Sequence, residues 1–144
     1  MNRRFLRGAL AGALLALTPA IAACSTDAEP TEAAETAAVA FDGAHVGTDV
    51  FAAAAAQDGV TVIDVRTPAE FAEGHLPGAV NIDVSDAGFE AAVAELDPEG
   101  EYAVYCRSGN RSRAAIDLMT GAGVASTVGL EGGIGAWSGE VVTG

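Results

Sequence analysis

Across residues 41–144, short β-branched runs alternate with stretches whose apolar residues recur at helical spacing. That alternation predicts an α/β domain with a central, mainly parallel sheet flanked by helices. Residues 48–57 are alanine-rich and read as a helix capped by Thr48, and residues 60–65 (VTVIDV) as a short central strand. Thr67, Pro68 and Glu70 spell a helix start: an N-cap, a proline at the first helical position and the glutamate that closes a capping box. Gly74 ends that helix, Leu76-Pro77-Gly78 turns the chain, and 79–82 forms the next strand. A second amphipathic helix over 86–96 turns Phe89, Val93 and Leu96 inward, and Asp97-Pro98-Glu99-Gly100 is a strong turn signal. Residues 102–106 (YAVYC) read as a buried strand ending at a cysteine. A loop over 107–111 follows, then a helix from a Ser112 cap to about Met119 and a last strand at 126–128. A glycine-rich turn with a short helix closes the chain, and Trp137 on it is expected to cover the core.

The first 40 residues follow another pattern. Arg3, Arg4 and Arg7 precede an apolar run at 8–17, and small residues lead into Cys24, so 1–23 reads as an export signal. The run is too short for a spanning helix. Arg3-Arg4 before Phe5-Leu6 hints at twin-arginine export, but the spacing is imperfect and the general secretory route is preferred. Ile21-Ala22-Ala23-Cys24 resembles a lipobox, which implies an acylated Cys24 holding the protein on the outer face of the cytoplasmic membrane. Residues 24–40 carry four acids and no large apolar side chain before Val39, the composition of an extended tether between anchor and domain.

Charge narrows the function. The chain has no lysine and only seven arginines against 20 acidic residues; losing residues 1–23 removes three arginines and no acid, moving the net charge from −13 to −16. Binding a phosphate backbone needs basic contacts, so a nucleic-acid partner is excluded. Of the four remaining cations, Arg107, Arg111 and Arg113 all lie within seven residues after Cys106; Arg66 is the fourth. An acidic protein that reserves its cations for the surroundings of one thiol is equipped to handle an anion with that thiol. His45 and His75 stand alone, there is no Cys-x-x-Cys, and no metal site or bound cofactor is expected.

The predicted order of strand, loop and helix places Cys106 at the carboxyl end of a strand, where open α/β sheets bind ligands. Unpaired N–H groups at the helix start, together with the dipole and nearby guanidinium groups, favour a thiolate there. Gly109 lets the loop curl into an anion-binding nest.

Four blocks resemble the single-domain rhodanese family. They are Val62-Ile63-Asp64-Val65-Arg66; Glu70-Phe71-Ala72-Glu73-Gly74-His75-Leu76-Pro77-Gly78-Ala79-Val80-Asn81-Ile82; Tyr105-Cys106-Arg107-Ser108-Gly109-Asn110-Arg111-Ser112; and 129–137 (GLEGGIGAW). The resemblance implies a rhodanese-like fold and sulfur transfer: Cys106 takes the outer sulfur of thiosulfate or a similar donor as a persulfide, and a thiol or cyanide then removes it. It also implies that the loop of Arg107, Ser108, Gly109, Asn110, Arg111 and Ser112 binds the substrate, with Arg107 and Arg111 on the anionic donor. Asp64 would stand beside that loop in a supporting role, or serve as a capping carboxylate for the turn at Thr67. Arg66 is expected to be a structural ion-pair partner of Glu70 and Glu73, and His75 a turn residue bonded to backbone.

Related dual-specificity phosphatases carry Cys-x5-Arg, whereas here the spacing is Cys-x4-Arg and Ser112 occupies the longer position, which disfavours phosphate. The competing expectation is a membrane-tethered sulfur carrier or redox module with little turnover. A monomer is expected.

Overall fold

The computed structural model describes residues 38–144. The export signal, Cys24 and all but the last three residues of the tether lie outside the described residues. In chain order the elements are β1 (Asp42–Val46), α1 (Thr48–Ala55), β2 (Val60–Asp64), α2 (Pro68–Glu73), β3 (Val80–Asn81), α3 (Phe89–Ala94), β4 (Glu101–Tyr105), α4 (Asn110–Gly121) and β5 (Thr127–Leu130), followed by a 3₁₀ turn at Gly133–Gly135. The five strands form one sheet in the order β1-β5-β4-β2-β3, and every ladder is parallel. No helix among the described residues is long and apolar enough to cross a membrane.

Strand parity divides the core into two. Side chains alternate across a strand, so Tyr102, Val104 and Cys106 pack on one face with Ile63, Val65, Phe89, Val93, Ala115, Ile116 and Met119. Ala103 and Tyr105 pack on the other with Val62, Phe51, Ala54, Val128 and Leu130. Cys106 is thereby committed to the α3 and α4 side before the chain turns. Trp137 half-covers the opposite core, edge-on to Phe51 with ring centroids 6.2 Å apart.

Two helix caps and one strand differ from the sequence expectation, and several element ends shift by one to three residues. Gly47, not Thr48, caps α1, with its backbone extended at φ −64° and no side-chain hydrogen bond. Gly109 occupies the N-cap of α4 at φ +93°, a left-handed conformation that suits glycine, and Ser112 sits in the helix's first turn. Strand β1 was not anticipated. Its sequence, DGAHV, lacks a β-branched run, and its register shifts between Asp42 and His45 against β5. Only pairing with β5 makes it a strand. The capping box on α2 forms as expected, with Thr67 and Glu70 bonded reciprocally and Pro68 at the first helical position.

Sheet order positions the site. The β2-to-β3 connection runs toward one edge of the sheet and the β4-to-β5 connection toward the other. The direction in which strands are added reverses between β2 and β4, and ligands of open parallel sheets bind in the crevice at such a point. Asp64 at the end of β2 and Tyr105 at the end of β4 are register partners there.

Phe51→Ala tests the core assignment. Phe51 is fully buried and its neighbour Val50 is 45% exposed. Urea unfolding should show a loss of about 3–5 kcal/mol for Phe51→Ala and a change within about 0.5 kcal/mol for Val50→Ala.

Candidate active site

Cys106 leaves β4 fully buried, and it is the free cysteine among the described residues. The backbone turns so sharply after it that the amide of Gly109 points back at the sulfur, donating to Sγ at 3.1 Å. Burial pushes the thiol pKa up. The N–H groups of Ser112, Ser108 and Gly109 and the Ser112 hydroxyl outweigh that penalty, so the pKa falls below its ordinary value. The loop achieves this by turning carbonyls away from the sulfur. The Cys106 carbonyl accepts from Ile134 N–H at 2.8 Å and the Arg107 carbonyl from Gly135 N–H at 3.1 Å. A side chain at Gly133 would collide with both of those carbonyls, and its φ of +59° is left-handed. The glycine-rich closing segment is thus the platform on which the cysteine loop rests.

The second wall comes from β2. Asp64 is fully buried and Arg66 nearly so. The Asp64 carboxylate accepts from Arg66 Nε at 2.9 Å and Nη2 at 2.6 Å, and from the Arg66 backbone N–H at 2.9 Å. Arg66 Nη2 also donates to the Gly74 carbonyl at 2.7 Å, and the guanidinium lies 5.7 Å from the Tyr105 ring centroid. Burial draws the Arg66 pKa down, and the hydrogen-bonded Asp64 carboxylate more than restores it. Arg66 is therefore a structural ion-pair partner, but of Asp64 rather than of Glu70 and Glu73. Asp64 does not cap the Thr67 turn either, because Glu70 does that. Geometry explains both results: two residues apart at a strand end, the pair closes locally, whereas Glu70 points elsewhere.

Glu70 reaches across to α4. Its two carboxylate oxygens accept from Arg111 Nη1 and Nη2, each at 2.7 Å. Arg111, expected on the donor, instead shares its charge with this carboxylate. The Arg111 hydrogen bonds, helped by the Thr67 N–H and hydroxyl and opposed by burial, hold the Glu70 pKa at about 2, below its ordinary 4.5. Arg107 is exposed and has no ion pair among the described residues, which leaves its guanidinium free beside the thiol loop. Ser108 and Asn110 are exposed, and Gly109 is buried. Arg113 is exposed on α4. His75 hydrogen-bonds the Phe71 carbonyl through Nδ1 at 2.9 Å and stacks on the Phe71 ring. No group of three or more potential metal ligands occurs among the described residues.

One residue of the site was not anticipated. His45 of β1 places Nε2 2.8 Å from Ser112 Oγ, and Ser112 Oγ lies 3.7 Å from Cys106 Sγ. Residue spacing carries no signal of this, because 67 residues separate His45 from Ser112 and the strand that bears it was not legible.

Residues 48–140 match the family described as Rhodanese-like domain. Among curated proteins, the chain is 40% identical over 85 residues to YtwF of Bacillus subtilis, covering 59% of this chain and 80% of that one. It is 31% identical over 80 residues to the thiosulfate sulfurtransferase GlpE of Pseudomonas entomophila, covering 56% and 72%. Among solved structures, a rhodanese-related protein from Thermoplasma volcanium superposes with a TM-score of 0.58 at 31% identity, covering 68% of this chain and 96% of that one.

The Glu70 pair makes a pH prediction. A folded pKa of about 2 against an ordinary 4.5 gives stability that is present above the ordinary value and lost as pH falls toward about 2. Denaturation followed across that acid window should show wild type losing stability more steeply than Glu70→Gln, with the two curves converging at the acid end.

Proposed function

Since the chain belongs to the rhodanese-like domain family, we propose that it is a sulfurtransferase that carries sulfane sulfur as a persulfide on Cys106. The observation that carries this reading is the thiol itself, buried at the sheet's reversal point with its pKa lowered by inward-facing amides. The Cys106 thiolate attacks the outer sulfur of thiosulfate or a similar donor. A sulfur–sulfur bond forms, the donor's own sulfur–sulfur bond breaks, and its electron pair leaves on sulfite. A thiol in the cell, or cyanide in an assay, then takes the terminal sulfur and releases the Cys106 thiolate, so the cycle is covalent and ping-pong.

The loop amides serve the persulfide anion as they serve the thiolate. Arg107 is the loop cation available to the donor, because Arg111 is engaged by Glu70 and Arg113 lies further along, within α4. That engagement, with the short Cys-x4-Arg loop, also weighs against a phosphatase. The buried sulfur favours a small sulfur-centred electrophile over a bulky one. The basic n-region, apolar run and lipobox-like residues ending at Cys24 support an extracytoplasmic, lipid-anchored placement for this activity.

Intact mass after incubation with thiosulfate tests the reading. Wild type should gain one sulfur atom, Cys106→Ser none, and cyanide should reverse the gain with release of thiocyanate. No adduct with either thiosulfate or organic persulfides overturns it; loading that stalls with small thiols assigns a carrier instead of a turnover enzyme. Steady-state kinetics of Arg107→Ala should show KM for thiosulfate raised about fivefold with kcat held, the size expected for about 1 kcal/mol of exposed ion pairing.

A further inference from the structure

We propose that His45 is a positioning residue of this site, exchanging the Cys106 proton through the hydroxyl of Ser112. Three atoms form the path: Cys106 Sγ, Ser112 Oγ at 3.7 Å, and His45 Nε2 at 2.8 Å from that oxygen. Ser112 is fully buried, so its hydroxyl bonds only to the groups around it, which also include the Gly109 carbonyl at 3.0 Å.

The strands make room for the imidazole. His45 is the register partner of Gly129 in β5, and a side chain at Gly129 would collide with Nε2, Nδ1 and Cε1 of the ring. Glycine within a strand sacrifices packing and marks a close approach. Here the approaching group is this ring.

A hydroxyl has one proton and two lone pairs, which suits it to both ends of the exchange. The Cys106 thiol donates to Ser112 Oγ; the single hydroxyl proton of Ser112 goes to the Gly109 carbonyl or, after rotation about Cβ–Oγ, to Nε2, and the exchange starts from the second orientation. As the thiol proton moves to Oγ, the hydroxyl proton moves to Nε2. The product is a thiolate that accepts from Ser112 and an imidazolium that donates to it. Sulfur, hydroxyl and ring remain hydrogen-bonded in both states, the Gly109 carbonyl keeps the Arg113 N–H at 3.3 Å, and the net change is one proton from sulfur to imidazole. When an acceptor removes the persulfide sulfur, the released thiolate recovers the proton by the reverse path.

Burial and Arg113 draw the His45 pKa below its ordinary value, while Glu131 and Asp117 pull the other way. The resting ring is therefore in its neutral form, which has a lone pair for the proton; burial and Arg113 oppose the imidazolium, and Glu131 and Asp117 favour it. Those three charged groups, on α4 and the segment after β5, are the ones that act on the ring.

The role in turnover rests on the sulfur-transfer reading; the proton coupling does not, and can be measured without a donor. The full chain carrying Cys24→Ser has Cys106 as its single thiol. Its alkylation rate by iodoacetamide, followed from acid to alkaline pH, should rise in two steps, because interacting sites titrate as a pair. His45→Gln keeps a hydrogen bond to Ser112 but cannot take up the proton. It should show one step, shifted to higher pH, with alkylation at neutral pH about tenfold slower. Coupling is reciprocal, so the His45 ring resonance should follow the Cys106 titration and lose that dependence in Cys106→Ser, a comparison that stands even if His45→Gln fails to fold. A His45→Gln profile superimposed on wild type, or a ring resonance indifferent to Cys106, overturns the proposal. If sulfur loads but the profile does not move, the relay alone falls; if the profile moves but no sulfur loads, the sulfur-transfer reading alone falls.

Discussion

The site depends on one backbone arrangement. Around Cys106 the peptide groups are sorted by direction, with N–H groups turned in toward the sulfur and the carbonyls of Cys106 and Arg107 turned out onto Ile134 and Gly135. Reversing even one peptide would place a carbonyl oxygen against a thiolate. The left-handed Gly109 makes the inward turn, and Gly133 admits the outward carbonyls at a distance no side chain permits. Two distant glycines thus hold one electrostatic environment, and the lowered thiol pKa is its consequence.

The rest of the fold holds that loop still. Two buried or half-buried ion pairs brace it from the β2 side: Asp64 with Arg66 at the strand end, and Glu70 with Arg111 between the first turns of α2 and α4. Removing one partner of the first pair would strand a buried charge, so both must be retained together. The second pair joins helices that begin on either side of the reversal point. It carries a capping glutamate into a tertiary contact, so local helix formation and site geometry share a residue. The cost is that Arg111 is not free for a ligand, which leaves the loop's exposed positive charge with Arg107.

What could be read from the sequence follows from how local each cause is. The α2 capping box, the β2 and β4 runs and the cysteine at a strand end depend on neighbours in the chain; the α/β domain predicted from such runs, and the rhodanese-like fold that the resemblance implied, are the fold found. Strand β1 was missed because its residues have no intrinsic strand character and become a strand only against β5. The start of α4 was displaced because Ser112 is a good cap by residue type, whereas Gly109 is required by the turn around the sulfur. Arg66 was matched to the wrong carboxylates because helical spacing favoured Glu70 and Glu73, while the nearer Asp64 lay across a strand end.

By itself, the sequence determined the fold class, the thiol, its glycine-bearing loop and the concentration of cations around it, because each is a matter of residue type and short-range order. Tertiary structure alone decided which of those cations are paired, that Arg66 meets Asp64 and Arg111 meets Glu70, and that His45 reaches Ser112 beside the thiol. Those facts depend on the order β1-β5-β4-β2-β3, which brings residues far apart in the chain within hydrogen-bonding distance. No pattern along the chain encodes a distance across the sheet.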